Sequence, residues 1–91
     1  VIEGEALMYT VRFSKNAEKA LKKIDPVMKR RVLEKMRNLT ISPRTGPNIK
    51  TMQGFSNRYR YRIGDFRVVY EVIDSELVVW VLEADWRGNI Y

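Results

Sequence analysis

Arginine alternates with tyrosine, then recurs beyond a short turn, in NRYRYRIGDFRVVYEV, residues 57–72. Arg58, Arg60, Arg62 and Arg67 are the side chains in this stretch that could do chemistry. A guanidinium is a planar fork of donors that keeps its charge and matches phosphate or carboxylate oxygens. Several of them on one surface suit the binding of an anion and the stabilisation of negative charge that develops on it. They can act together only if the fold makes them converge.

Side chains alternate across a strand. Over 58–63, Tyr59, Tyr61 and Ile63 share one face, and Arg58, Arg60 and Arg62 share the other. The apolar face is expected to pack on helices, and the arginine face to stay open, as is common for antiparallel sheets. A two-residue turn at Gly64-Asp65 pairs Ile63 with Phe66, Arg62 with Arg67, Arg60 with Val69 and Arg58 with Glu71. Directly opposed side chains lie ~5 Å apart, and like charges there are destabilising. Arg58 has an acid opposite; Arg62 and Arg67 face each other. A three-residue loop at 74–76 then pairs Ile73 with Leu77 and Arg67 with Glu83, which keeps Glu83, Asp85 and Arg87 on the arginine face. A two-residue loop reverses that register.

The elements that must position these residues are legible upstream. MYTVRF, residues 8–13, alternates as a strand. Ser14 reads as an N-cap, and Ala17, Ala20, Leu21 and Ile24 follow at helical spacing. Asp25 and Pro26 suit the N-cap and first position of a second helix, whose stripe is Met28, Val32, Leu33, Met36 and Leu39. Pro43, Gly46 and Pro47 mark a loop, and KTMQGFS is ambiguous, with room for a short strand ending at Gly54. Strands follow over about 57–63, 66–73 and 77–84. The expected class is α+β, in the order β-α-α-β-β-β: an N-terminal strand, a helical hairpin, then antiparallel strands, with the helices on one face of a curved sheet. Residues 1–7 lack periodicity and read as a cloning remnant or an N-terminal extension, with one domain over 8–91.

The 91 residues include 17 Lys and Arg against 11 Asp and Glu, a net charge of +6 that favours a polyanionic partner. No cysteine is present, which excludes disulfides and thiolate metal sites. No histidine is present either, which excludes imidazole catalysis and the commonest zinc ligand. No apolar run approaches the ~20 residues that span a bilayer, so no membrane partner is expected. No secretory pattern is seen, and a small disulfide-free chain fits the cytoplasm. There is no phosphate-binding glycine loop, dinucleotide fingerprint or Ser-His-Asp set, and no cofactor is expected.

Each feature also has a plainer reading. Exposed arginine-rich strands serve solubility and edge protection, but the facing Arg62–Arg67 pair favours an anion site. The helix cations, Lys15 to Arg37, read as a solvated face. Glu83 and Asp85 read as salt-bridge partners before metal ligands, and Trp80 as core before a base platform.

From Met8 to Tyr91 the chain resembles the RelE/ParE superfamily of bacterial toxins, and within it the RelE-like mRNA interferases. The likeness is carried by YTVRFSKNAEKALKKI, SPRTGPNIKTMQG, YRYRIGDFRVVYEVID and the ending WRGNIY. The resemblance implies a ribosome-dependent endoribonuclease that cleaves mRNA in the A site without a metal. The 2′-hydroxyl attacks the adjacent phosphate, leaving a 2′,3′-cyclic phosphate, and translation stops. Its site residues map to Arg60, Arg62, Arg67, Arg87 and Tyr91, and its partners are mRNA on the ribosome, ribosomal RNA and a cognate antitoxin that covers or distorts this face.

The chain departs from that pattern where the best-known members carry lysines at the positions of Arg60 and Arg62, because arginine cannot serve as a general base. Gln53 stands where a basic residue is common, and the Glu/His pair of some relatives has no counterpart. Tyr91 is then the expected proton acceptor, with Glu83 or Asp85 second, since cations favour an ionised phenol. The resemblance leaves a second reading, a ParE-like inhibitor of DNA gyrase, against which the full set of Arg60, Arg62, Arg67, Arg87 and Tyr91 argues. The basic sheet leaves a third, a non-catalytic RNA-binding module.

Overall fold

A computed structural model describes residues 8–86. The elements are β1 (Thr10–Phe13), α1 (Lys15–Lys23), α2 (Pro26–Met36), a 3₁₀ turn (Arg37–Thr40), β2 (Ile49–Thr51), β3 (Arg58–Ile63), β4 (Phe66–Ile73), a second 3₁₀ turn (Asp74–Glu76) and β5 (Val78–Trp86). The fold is α+β, as expected, with one strand more: Ile49–Thr51 resolves the ambiguous stretch. The sheet order is β1-β5-β4-β3-β2. β1 runs parallel to β5, and the other neighbours are antiparallel.

Both helices start where their caps require. Ser14 Oγ accepts from the Ala17 N–H at 3.1 Å and donates to the Leu82 carbonyl at 2.7 Å, tying the start of α1 to β5. Asp25 Oδ1 accepts from the N–H groups of Val27 (2.9 Å) and Met28 (3.1 Å), with Pro26 at the first helical position. Ala17, Leu21 and Ile24 are buried from α1, and Val32 and Met36 from α2. Leu33 leaves the expected stripe: it is exposed and lines an apolar groove with Val11, Phe13 and Met36, beside the outer edge of β1.

The opposing half of the core comes from alternate sheet residues. Tyr59, Tyr61 and Ile63 of β3 are buried, as are Phe66, Val68, Tyr70 and Val72 of β4. Tyr59 stacks on Tyr70 with centroids 5.7 Å apart, and the Tyr70 hydroxyl donates to the Pro43 carbonyl at 2.6 Å, pinning the loop after α2. Burial drives the Tyr70 phenol well above its ordinary ionisation range.

The β3–β4 register is the expected one at every position from Arg58↔Glu71 to Ile63↔Phe66. Gly64, with φ of 63°, is the first central residue of the two-residue turn, where a type II′ geometry favours glycine. The β4–β5 register corrects the expectation. The link is one residue longer, because Leu77 adopts a left-handed conformation (φ 54°) after the 3₁₀ turn, so Ile73 pairs with Val78. A bulge between Val69 and Tyr70 then shifts the ladder past Leu82, so Val69 pairs with Glu83, and Arg67 with Asp85 rather than Glu83. Trp80 consequently stands opposite Glu71 and Arg12 on the open face, half-buried, not in the core. β5 also continues through Trp86, whose ring meets Phe66 edge-on at 5.3 Å.

Candidate nucleic-acid interface

The open face of the sheet carries three cross-strand rows. One runs Arg12, Trp80, Glu71, Arg58. The next runs Glu83, Val69, Arg60, Lys50, and the third Asp85, Arg67, Arg62. Acids thus lie toward β5 in the last two rows and cations toward β2. Where the cations gather, Asn48, Lys50, Arg60, Arg62 and Arg67 line a cleft of about 140 Å³, and no acid is among these lining residues.

Two like-charged pairs stand side by side in this cleft: Arg62 opposite Arg67, and Lys50 opposite Arg60. Each such pair opposes folding by a few tenths of a kcal/mol to ~1 kcal/mol. Arg62 Nε donates to the Gly64 carbonyl at 3.3 Å, which turns the guanidinium along the β3–β4 turn. Arg67 Nε is buried and has no hydrogen-bond partner among the described residues, an unusual state for a polar atom. A phosphate seated among these groups would supply negative charge to both pairs. Arg58 sits at the margin, its guanidinium 4.3 Å above the Phe55 ring, a cation–π contact beside an exposed aromatic face.

Of the residues expected in the site, Arg60, Arg62 and Arg67 are brought together here; Arg87 and Tyr91 lie outside the described residues. Asp85 lies beside Arg67, and its Oδ1 accepts from the Trp86 N–H at 2.7 Å. Lys50 and Asn48 were not expected. Lys50 becomes visible only once 49–51 is paired with β3, since three residues carry no readable periodicity.

A second polar cluster braces the sheet from behind the 41–48 loop. Arg44 makes two contacts with the Asp74 carboxylate, at 3.0 and 2.8 Å, and donates to Asn57 Oδ1 at 3.1 Å. The Tyr9 hydroxyl donates to Asp74 at 2.6 Å. The Arg44 guanidinium, followed by the Tyr9 hydroxyl, holds the Asp74 carboxyl below the usual range. Hydrogen bonding to Asp74 raises the Tyr9 phenol. This cluster ties the 41–48 loop to the turn after β4 and to the residues just before β1 and β3.

A mixed sheet backed by two helices, with a cationic face turned outward, is the architecture of a small toxin of the RelE/ParE superfamily. The chain belongs to the family of ParE toxins of type II toxin–antitoxin systems, whose model matches residues 11–85. A RelE-like toxin protein of Escherichia coli is 28% identical over 83 residues, covering 89% of this chain and 85% of that protein. The isolated E. coli RelE toxin superposes with a TM-score of 0.78 at 25% identity, covering 89% of this chain and 86% of that one. The archaeal RelE–RelB complex of Pyrococcus horikoshii OT3 gives a TM-score of 0.79 at 30% identity, covering 90% and 98% of the two chains.

Proposed function

We propose that this RelE-like toxin cuts mRNA in the ribosomal A site by attack of a 2′-hydroxyl on the adjacent phosphate. The observation that carries the proposal is the pair of facing cations, Arg62 with Arg67 and Lys50 with Arg60, around an unpartnered Arg67 Nε. A surface kept for solubility has no reason to oppose like charges in adjacent rows. In the reaction the 2′-oxygen bonds to phosphorus, the bond to the 5′-oxygen breaks, one proton leaves the 2′-hydroxyl and one reaches the 5′-oxygen. Arg62 and Arg67 hold the non-bridging oxygens as charge builds on the phosphorane. Arg60 holds a neighbouring oxygen. Arg87 neutralises the leaving 5′-oxygen, which takes its proton from solvent water, and Tyr91 accepts the 2′ proton. No step requires a metal, and the ribosome supplies the in-line alignment that so open a cleft does not.

A cognate antitoxin is the proposed protein partner, supported by relatives whose structures are toxin–antitoxin complexes. The apolar groove between α2 and the outer edge of β1, which pairs with no strand among the described residues, suits an amphipathic segment of that partner. The deciding assay is primer extension on programmed ribosomes with wild type, Arg67→Ala and ribosome-free RNA. Cuts that need the ribosome and vanish in the variant are expected; intact message throughout would remove the nuclease reading. The family match to ParE toxins gives gyrase inhibition as the second reading, tested by a supercoiling assay in the same preparation.

A further inference from the structure

Adjoining the arginine cleft, and sharing Asn48 and Arg62 with it, is a larger cavity of about 460 Å³. One wall is the second half of α2 and the turn after it, bearing Arg31, Lys35 and Arg37. The floor includes Tyr61, whose hydroxyl donates to the Lys35 carbonyl at 3.4 Å and bridges β3 to α2. Arg31, Lys35, Arg37 and Arg62 all line the cavity, and no acid is among its lining residues. Lys35 and Arg37 sit at the C-terminal end of α2, where cations complement the helix dipole. Arg31 lies a turn earlier, four residues before Lys35, and like charges at that spacing oppose the helix. Arg31 nevertheless lines the same cavity as Lys35 and Arg37, so the three cations share one wall.

A nucleic-acid strand carries a phosphate at every nucleotide, so a protein that grips one phosphate must accommodate the next. The acid-free cavity continues directly from the cleft through Arg62. We propose that it is a second phosphate subsite, which takes the RNA backbone at a nucleotide flanking the bond cut in the cleft. Arg31, Lys35 and Arg37 supply its charge, and Arg62 stands between the two subsites. This inference rests on the reading of the cleft as an RNA site.

The test compares wild type, Arg31→Gln/Arg37→Gln, and a control that removes the same charge from α1, Lys15→Gln/Lys22→Gln. Binding of a labelled single-stranded RNA is followed by anisotropy across a salt series. The α2 double variant is expected to bind roughly five- to tenfold more weakly at low salt, two exposed ion pairs being lost. Its log–log salt slope is expected to be shallower by about 0.7, the share of one phosphate on a single strand. The α1 control keeps the wild-type slope. Equal losses in both double variants would mean general attraction only and would overturn the subsite. On programmed ribosomes, messages carry one neutral methylphosphonate linkage at successive positions beside the cleaved bond. One position is expected to raise the half-saturating concentration for wild type and to add nothing in the α2 variant. If wild type cuts message but no flanking linkage matters, the subsite fails alone. If the α2 variant loses only binding to message-free ribosomes, the cavity serves ribosomal RNA and the proposal is wrong. If wild type neither binds RNA nor cuts message, the reading of the cleft fails with it.

Discussion

Replacing Arg67 by methionine is expected to make the protein more stable and inactive at once. Methionine keeps the length of the side chain and removes its charge. The substitution relieves the opposition of Arg62 and Arg67, worth ~0.2–1 kcal/mol. It also removes a buried Nε with no partner, an arrangement that costs ~1–3 kcal/mol. Against this, Asp85 loses a cation on the opposite strand, a term about as large as the relieved repulsion. The net expectation is a gain of about 1–2 kcal/mol, and a domain of this size moves by about 4–8 °C per kcal/mol. Thermal unfolding followed by circular dichroism at low ionic strength should therefore show a midpoint about 4–16 °C higher than wild type. Because the two charge terms nearly cancel, the difference should largely persist near 1 M salt, where screening acts within ~3 Å. Inorganic phosphate should raise the wild-type midpoint more than that of the variant, because it binds only the cleft that has kept its clamp. Message cleavage should fall by ~10²–10³, the usual effect of removing one donor to a developing oxyanion. A variant that melts below wild type would refute the reasoning: the cation row would then be part of what holds the sheet together.

Lys50→Arg should retain message cleavage and Lys50→Met should weaken it severalfold, since the role assigned to this residue is charge; a single-turnover comparison decides it. Tyr70→Phe leaves the Pro43 carbonyl without its donor, and a loss of ~1–3 kcal/mol should appear in urea unfolding. Asp74 titrates below the ordinary carboxylate range in the folded chain, so its contribution is present above about pH 4 and is lost as the pH falls through the folded value. Asp74→Asn should accordingly shrink the gap between midpoints measured at neutral and strongly acid pH.

The cation row was readable because two local rules fix it. Strict alternation sorts Arg58, Arg60 and Arg62 from Tyr59, Tyr61 and Ile63, and a glycine-led two-residue turn allows only one register against Arg67. The third strand was harder because two departures act in sequence. The left-handed Leu77 adds a residue to the link and turns Trp80 from the core to the open face. The extra residue at Leu82 then restores the parity, so Glu83 and Asp85 return to the arginine side one row from their expected places. Nothing local announces a bulge. The parallel pairing of β1 with β5, the short β2 and the Arg44–Asp74 cluster depend on contacts across much of the chain, which no window of sequence contains. Arg87 and Tyr91, assigned by resemblance alone, remain part of the proposal.

The position of β5 has a consequence for how the protein is made. β5, the last strand among the described residues, lies inside the sheet, hydrogen-bonded to β1 on one side and to β4 on the other. Until β5 has emerged from the ribosome, β1 has no partner strand and Ser14 has no Leu82 carbonyl to reach. Pairing between strands this far apart in sequence is a slow, late event in folding. A partly synthesised chain that lacks β5 therefore cannot assemble the sheet that carries its arginines, and the cationic cleft forms only after β5 is available to pair.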